Sequence, residues 1–196
     1  MILTGSCLTI ERLRRERPEN VVVYFYFDSQ DTGTQSATSL ISSLLRQLLE
    51  RLEDIPPCAK ARFDEFNRDS HLPKPTFKTL IQLFKDCSKC VPTIYMVLDA
   101  FDEVPETQRA RALSIIETVC NGNVQVLVTT QPHLKNDIEK SVHLGITNVR
   151  ITAHKSDIAQ YVRSNLPQGL SQGLQIHITE TIAEDASGMY NRAFEI

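Results

Sequence analysis

The chain has 196 residues, room for one domain and the start of a second, with 41% hydrophobic and 23% charged residues, an ordinary globular balance. Its 21 basic and 24 acidic residues leave a formal charge of −3, which gives no electrostatic ground for nucleic acid or an anionic membrane as the main partner. No apolar run reaches the ~18–20 residues of a membrane span, and the N-terminus lacks the pattern of a signal peptide, so the cytoplasm is the expected compartment.

In chain order, residues 2–17 place Leu3, Cys7, Ile10 and Leu13 on one side of a helix, weakened by Gly5. VVVYFYF (21–27) is short, β-branched, aromatic and continuously apolar, as a strand buried on both faces reads. A polar loop, 28–33, follows. Leu40, Ile41, Leu44, Leu45, Leu48, Leu49 and Leu52 then recur at helical spacing until Pro56-Pro57. The next stretch, with Phe63 and Phe66, is polar and irregular. Thr76 is a candidate cap for a helix carrying Phe77, Leu80, Ile81 and Phe84, closed by Pro92.

From there the chain alternates. TIYMVLD (93–99) reads as a strand, and Pro105 opens a helix through Leu113, Ile116 and Val119 that Asn121-Gly122-Asn123 stops. VQVLVTT (124–130) reads as a strand, 133–140 as a short helix and NVRIT (148–152) as a short strand. Ser156 or Asp157 can cap a helix with Ile158, Tyr161, Val162 and Leu166. Gly169 and Gly173 fall in a linker, and a final helix starts near Thr179 with Ile182, Ala186 and Met189. Apolar strands alternating with amphipathic helices imply crossover connections and a parallel sheet.

Five cysteines (Cys7, Cys58, Cys87, Cys90 and Cys120) without a secretory signal read as reduced thiols. Cys87 and Cys90 form a CxxC that lacks the second ligand pair of a zinc site. The five histidines have no ligand spacing.

The informative stretch is IYMVLDAFDEV, Ile94 to Val104, a core strand that ends in acids. In open α/β sheets ligands gather beyond the carboxyl ends of the strands, and Asp99 ends its strand there. A carboxylate so placed can hold Mg²⁺ through water while the metal bridges phosphates. Asp102 or Glu103 in the following turn can orient a water or take its proton. The competing reading is that these acids serve the helix opened by Pro105, since acids at a helix N-terminus contribute roughly 0.3–1 kcal/mol. Nothing resembles an activated serine or cysteine nucleophile, so an unrelated α/β enzyme would have to rest on the carboxylates alone.

MVLDAFDE resembles the extended Walker B motif of NACHT-type P-loop NTPases, a hydrophobic strand running into D-[GAS]-h-D-E. VVVYFYFDSQDT, SLISSLLRQLLERL, VQVLVTTQPH, ITAHKSDIAQYVRSNL and ASGMYNRAFEI resemble, in order, further segments of the nephrocystin-like N-terminal domain of fungal and animal NACHT proteins. The resemblance implies a three-layer α/β fold with a parallel sheet of P-loop NTPase type over residues 1–153. The start of a helical subdomain follows over 154–196. It implies Asp99 as the Mg²⁺-organising acid, Asp102 and Glu103 as the distal catalytic acids, and Thr130 and Gln131 as nucleotide contacts. Mg²⁺ with ATP or GTP would be the cofactors. Self-association or other NACHT-family chains would be the partners, with no nucleic acid and no membrane.

The sequence departs from that pattern twice. No G-x-x-x-x-G-K-[ST] occurs in it, so Met1 is expected to stand just after the P-loop, with the strand before it also missing. Gln131-Pro132 stands where the family usually has Arg-Pro, which removes a charge from the phosphate-sensing turn. In this class the P-loop strand lies between the strands expected at 124–129 and 148–152. Those two would face a gap or close up and pair directly. The function implied is a nucleotide-binding signalling and oligomerisation module that does not hydrolyse its nucleotide. The alternative is a NACHT-like scaffold that binds none.

Overall fold

The computed structural model describes residues 5–30, 36–68, 75–120, 122–143, 145–149, 154–167 and 169–185. The chain forms two compact units, Met1–Ile146 and Thr147–Ile196. In the first, the helix α1 (Gly5–Glu16) leads into β1 (Val21–Tyr26). Three helices follow, α2 (Ala37–Leu49), α3 (Pro57–Arg68) and α4 (Phe77–Ser88), then β2 (Ile94–Asp99), a 3₁₀ turn over Phe101–Glu103 and α5 (Glu106–Val119). The strand β3 (Val124–Val128), a second 3₁₀ turn (Pro132–Leu134) and α6 (Lys135–Ser141) complete it.

The strands form a three-stranded parallel sheet in the order β1-β2-β3, with Val21 opposite Ile94 and Ile94 opposite Val124. Period-two alternation sends their side chains to two faces. Val21, Val23, Met96 and Leu98 face the main core with α2, α4 and α5, whereas Val22 and Val97 meet Ile10 and Leu13 of α1 on the other. The sheet therefore carries helices on both sides, a mixed α/β architecture. α2 supplies the densest face: Leu40, Ile41, Leu44, Leu45 and Leu48 are all buried, each contributing ~1.5–3 kcal/mol. Its start is capped by Ser36, whose Oγ accepts from the Ser39 N–H at 3.0 Å.

Several expectations shift. Residues 57–68, read as irregular, form α3, because Pro57 occupies a helix start, where a missing N–H costs nothing. That helix has little apolar face to reveal it: Ala59 is buried but Phe63 is 65% exposed. Leu52 lies beyond the end of α2 at Leu49, in a turn where its N–H bonds the Leu49 carbonyl. β3 stops at Val128: the Thr129 N–H still bonds the Leu98 carbonyl, but the Ala100 N–H goes to the Thr129 hydroxyl and the Thr129 carbonyl takes the Phe101 N–H, which breaks the ladder. Asn148 and Val149, expected in a strand, are irregular, and 150–152 lie outside the described residues. Thr76 caps α4 as expected, its hydroxyl accepting from the Thr79 N–H at 3.2 Å.

In the second unit α7 (Lys155–Asn165) and α8 (Gln172–Asp185) pack through Ile158, Val162 and Ala183. α7 begins after His154 with no side-chain cap, not at Ser156 or Asp157. α8 starts at Gln172, so Gly173 is helical and not linker. Thr179, expected near the start, lies inside it, buried, with its hydroxyl donating to the Gln175 carbonyl at 2.6 Å. Ala186 and Met189 lie outside the described residues.

The CxxC is split by environment. Cys87 is buried with its sulfur 3.8 Å from that of Cys58, while Cys90 is exposed. Burial, then the contact with Cys58, pushes the Cys87 thiol up to about 12. Among the described residues no group of three His, Cys, Asp or Glu side chains is placed to hold a metal. Alkylation at neutral pH should label Cys90 and spare Cys87 until the chain unfolds, as mass spectrometry would show. A neutral Cys87 stabilises the fold fully below the ordinary thiol value of 9.0, and that contribution should fade as pH rises toward 12.

Candidate functional site

All three strands run in parallel, so their carboxyl ends lie along one edge of the sheet. Asp99 is the last residue of β2, the middle strand, and its half-buried side chain is on the α1 face. Two hydroxyls donate to its Oδ1: Ser6, from the first turn of α1, and Thr129, just past β3, at 2.5 Å. Thr129 Oγ1 in turn accepts from the Ala100 N–H at 2.9 Å. One carboxylate oxygen thus ties α1 to two strand ends. Beside it Tyr26 ends β1, its hydroxyl 3.1 Å from the Cys7 sulfur. Partial burial, then the Cys7 contact, pushes the Tyr26 phenol up, so it keeps its proton at neutral pH.

After Asp99 the chain must leave the sheet sharply. Ala100 does this in the left-handed region, at φ 56° and ψ 49°. An L-residue there costs roughly 1–2 kcal/mol, which explains why a small residue must follow the acid. The turn is held from below. Phe101 is fully buried, its N–H bonds the Thr129 carbonyl at 2.9 Å, and its ring meets Phe27 edge-on at 5.7 Å. Val104 is buried too, and its carbonyl accepts from Arg109 at 3.2 Å.

The remaining acids ride on this turn. Asp102 Oδ1 accepts from the Gln131 N–H at 3.1 Å, which links it to the loop after β3. Glu103 is half-buried, and its carboxylate has no hydrogen-bond partner among the described residues. Neither acid caps α5: its N-cap is Pro105, with no side-chain hydrogen bond, and its first-turn acid is Glu106. Thr130 lies in the loop after β3 with its hydroxyl buried and unpaired. Gln131 is exposed and meets Asp102 through its backbone. The structure therefore gathers Asp99, Asp102, Thr130 and Gln131 along one edge, with Glu103 on the same turn. Among the described residues no basic side chain forms an ion pair with any of the three acids.

Three contributors were not visible beforehand. Ser6 lay in a helix start read only for its apolar side, and only folding brings it to Asp99 across 93 residues. Thr129 read as strand. Arg109 had no role assigned from the sequence, yet its guanidinium reaches back to the turn, with its Nε buried and unpaired.

The sequence model of the nephrocystin 3 N-terminal family matches residues 4–131, more than half of the chain. The chain belongs to that family. No curated protein matches it. The match runs from just before α1 to the loop after β3, and so contains Ser6, Asp99, Asp102, Glu103, Thr129, Thr130 and Gln131. Among the described residues no helix is long and apolar enough to cross a membrane.

Replacing Asp99 by Ala should cost ~1–3 kcal/mol in urea unfolding, since two part-buried hydroxyls lose their acceptor. Asp99→Asn, which keeps one oxygen, should cost less. Ala100→Gly should instead stabilise, by up to ~1 kcal/mol, because glycine adopts φ 56° without strain, and Ala100→Val should destabilise.

Proposed function

We propose that this chain is the core of a NACHT-type P-loop NTPase module, built to bind a Mg²⁺–nucleotide for signalling and assembly and not to hydrolyse it. The observation that carries the reading is Asp99 at the carboxyl end of the middle parallel strand, with a hydroxyl from the first turn of a helix on the same oxygen. This is the place where an open α/β sheet receives a ligand.

The donor set suits the metal side of such a site. Magnesium takes one or two carboxylates and keeps several waters, so it needs no all-protein cage. Asp99 is that carboxylate, with the Ser6 and Thr129 hydroxyls beside it, and the unpaired Thr130 hydroxyl is a further polar atom in want of a partner. When bound, Mg²⁺ would neutralise phosphate charge and fix the phosphate chain in place. Asp99 would hold a water of the metal shell through its second oxygen. Asp102 is committed to the Gln131 N–H, so it positions the loop after β3 and is poorly placed to take a proton. Glu103 is the acid left to orient a water.

The phosphate side is not supplied in the same way. The sequence contains no G-x-x-x-x-G-K-[ST], and Gln131 brings no charge to its turn. Among the described residues no basic side chain pairs with these acids, and it is of these residues that binding without turnover is proposed. Self-association, or association with other NACHT-family chains, would then be the output. The second reading, a scaffold that binds no nucleotide, rests on the saturation of Asp99 Oδ1 by two hydroxyls, which leaves the carboxylate satisfied without a metal.

Calorimetry with ATP or GTP, with and without Mg²⁺, separates the two. The module reading expects a Mg²⁺-dependent isotherm that Asp99→Asn weakens at least ~tenfold, about 1.4 kcal/mol, with no phosphate release. A flat isotherm for both nucleotides would leave the scaffold. Phosphate release abolished by Glu103→Gln would overturn the absence of hydrolysis.

A further inference from the structure

Among the described residues β1 is an edge of the sheet, and its outer side opens into a groove of about 470 Å³ between α1 and α2. None of the acids at the strand ends lines it. The Val21 and Phe27 N–H groups bond β2, so by alternation Val22, Tyr24 and Tyr26 turn their backbone groups to the open side, and all three line the groove. An edge of this kind is a template for another strand.

Two features narrow what could lie there. The first is charge. Arg14, Arg46 and Arg51 line the groove against a single acid, Glu50, in a chain whose overall charge is −3. Arg14 lies over the Tyr24 ring at 5.3 Å. Arg46 is 3.8 Å from Glu50 with both side chains largely exposed, a pair worth little, and Arg51 has no carboxylate partner among the described residues. The second is Gln47. Its amide accepts from the Tyr24 N–H at 3.0 Å and donates to the Tyr24 carbonyl at 2.8 Å. One side chain thus plays the part of one residue of a neighbouring strand.

We propose that this edge is a docking groove for an extended acidic peptide segment of a partner protein. A phosphate group offers only acceptors at neutral pH and cannot answer the outward carbonyls of β1. A peptide backbone both donates and accepts, as Gln47 does. An added strand sends successive side chains to opposite faces. Consecutive acidic residues would therefore meet Arg14 on the α1 side, and Arg46 and Arg51 on the α2 side. The six residues of β1 span ~20 Å at about 3.3 Å each, enough to pair a short strand. Docking replaces the two Gln47 hydrogen bonds by two from the peptide, so Gln47 competes with the ligand and keeps the empty edge from pairing at random.

Fluorescence anisotropy of the whole chain with a short labelled peptide rich in Glu and Val tests this. Its controls are the same peptide methylated on alternate backbone nitrogens, and inorganic tripolyphosphate as competitor. Saturable binding is expected, weakened at least ~tenfold by the double substitution Arg46→Glu, Arg51→Glu, and lost on backbone methylation. Gln47→Ala should tighten binding several-fold, which a simple basic patch would not show. The proposal is overturned by three results: no saturable binding, equal binding of the methylated peptide, or displacement by tripolyphosphate with no effect of Gln47→Ala. The last would assign the arginines to a phosphate ligand instead.

Discussion

One carboxylate oxygen holds the carboxyl end of the sheet together. Asp99 Oδ1 takes hydroxyl hydrogen bonds from Ser6 on α1 and Thr129 after β3, so a helix and two strand ends meet at a single atom. Losing that shared acceptor costs ~1–3 kcal/mol, a large part of a domain stability of only about 5–15 kcal/mol. The strained Ala100 turn is tolerated because this tie, the buried Phe101 and the Thr129 backbone over-determine it. The same tie fixes the Asp99 carboxylate through Oδ1 alone.

The sheet exposes its two edges differently. On β1 a side chain from α2 closes the central residue, and arginines flank the opening. β3 pairs with β2, and among the described residues no strand occupies its other side. Its burial alternates, with Leu127 43% exposed, which differs from the fully covered strand of a sheet buried on both faces. The core is accordingly one-sided. The helices α2, α4 and α5 bury Phe84, Leu98 and Ile115 completely, while α1 covers its face mainly over β1 and β2.

Membership of the nephrocystin 3 N-terminal family covers α1 to the loop after β3, the segment that builds the acid-bearing edge. Within it the chemistry is unbalanced: three acids and several hydroxyls, with no basic partner among the described residues. The proposed division between binding and hydrolysis rests on that imbalance, with Asp99 alone as the carboxylate proposed to face the metal.

Much of this was legible beforehand, because apolar periodicity is a local signal. VVVYFY and IYMVLD announce strands, the leucine repeat announces α2, and Thr76 announces a cap, each from neighbours within a few residues. Asp99 at a strand end was also readable, whereas the left-handed turn at Ala100 was not. α3 was not, since a helix with one well-buried alanine leaves almost no periodic trace. Nor were the partners of the acids. Ser6 reaches Asp99 across 93 residues, Thr129 across 30, and Gln47 reaches Tyr24 across 23. The sequence by itself determined where the strands, most of the helices and the acidic turn lie along the chain, because those depend on short-range pattern. Only the tertiary structure decided which hydroxyls satisfy the carboxylate and which side chain closes the sheet edge, because hydrogen bonds between distant segments depend on packing that no local pattern encodes.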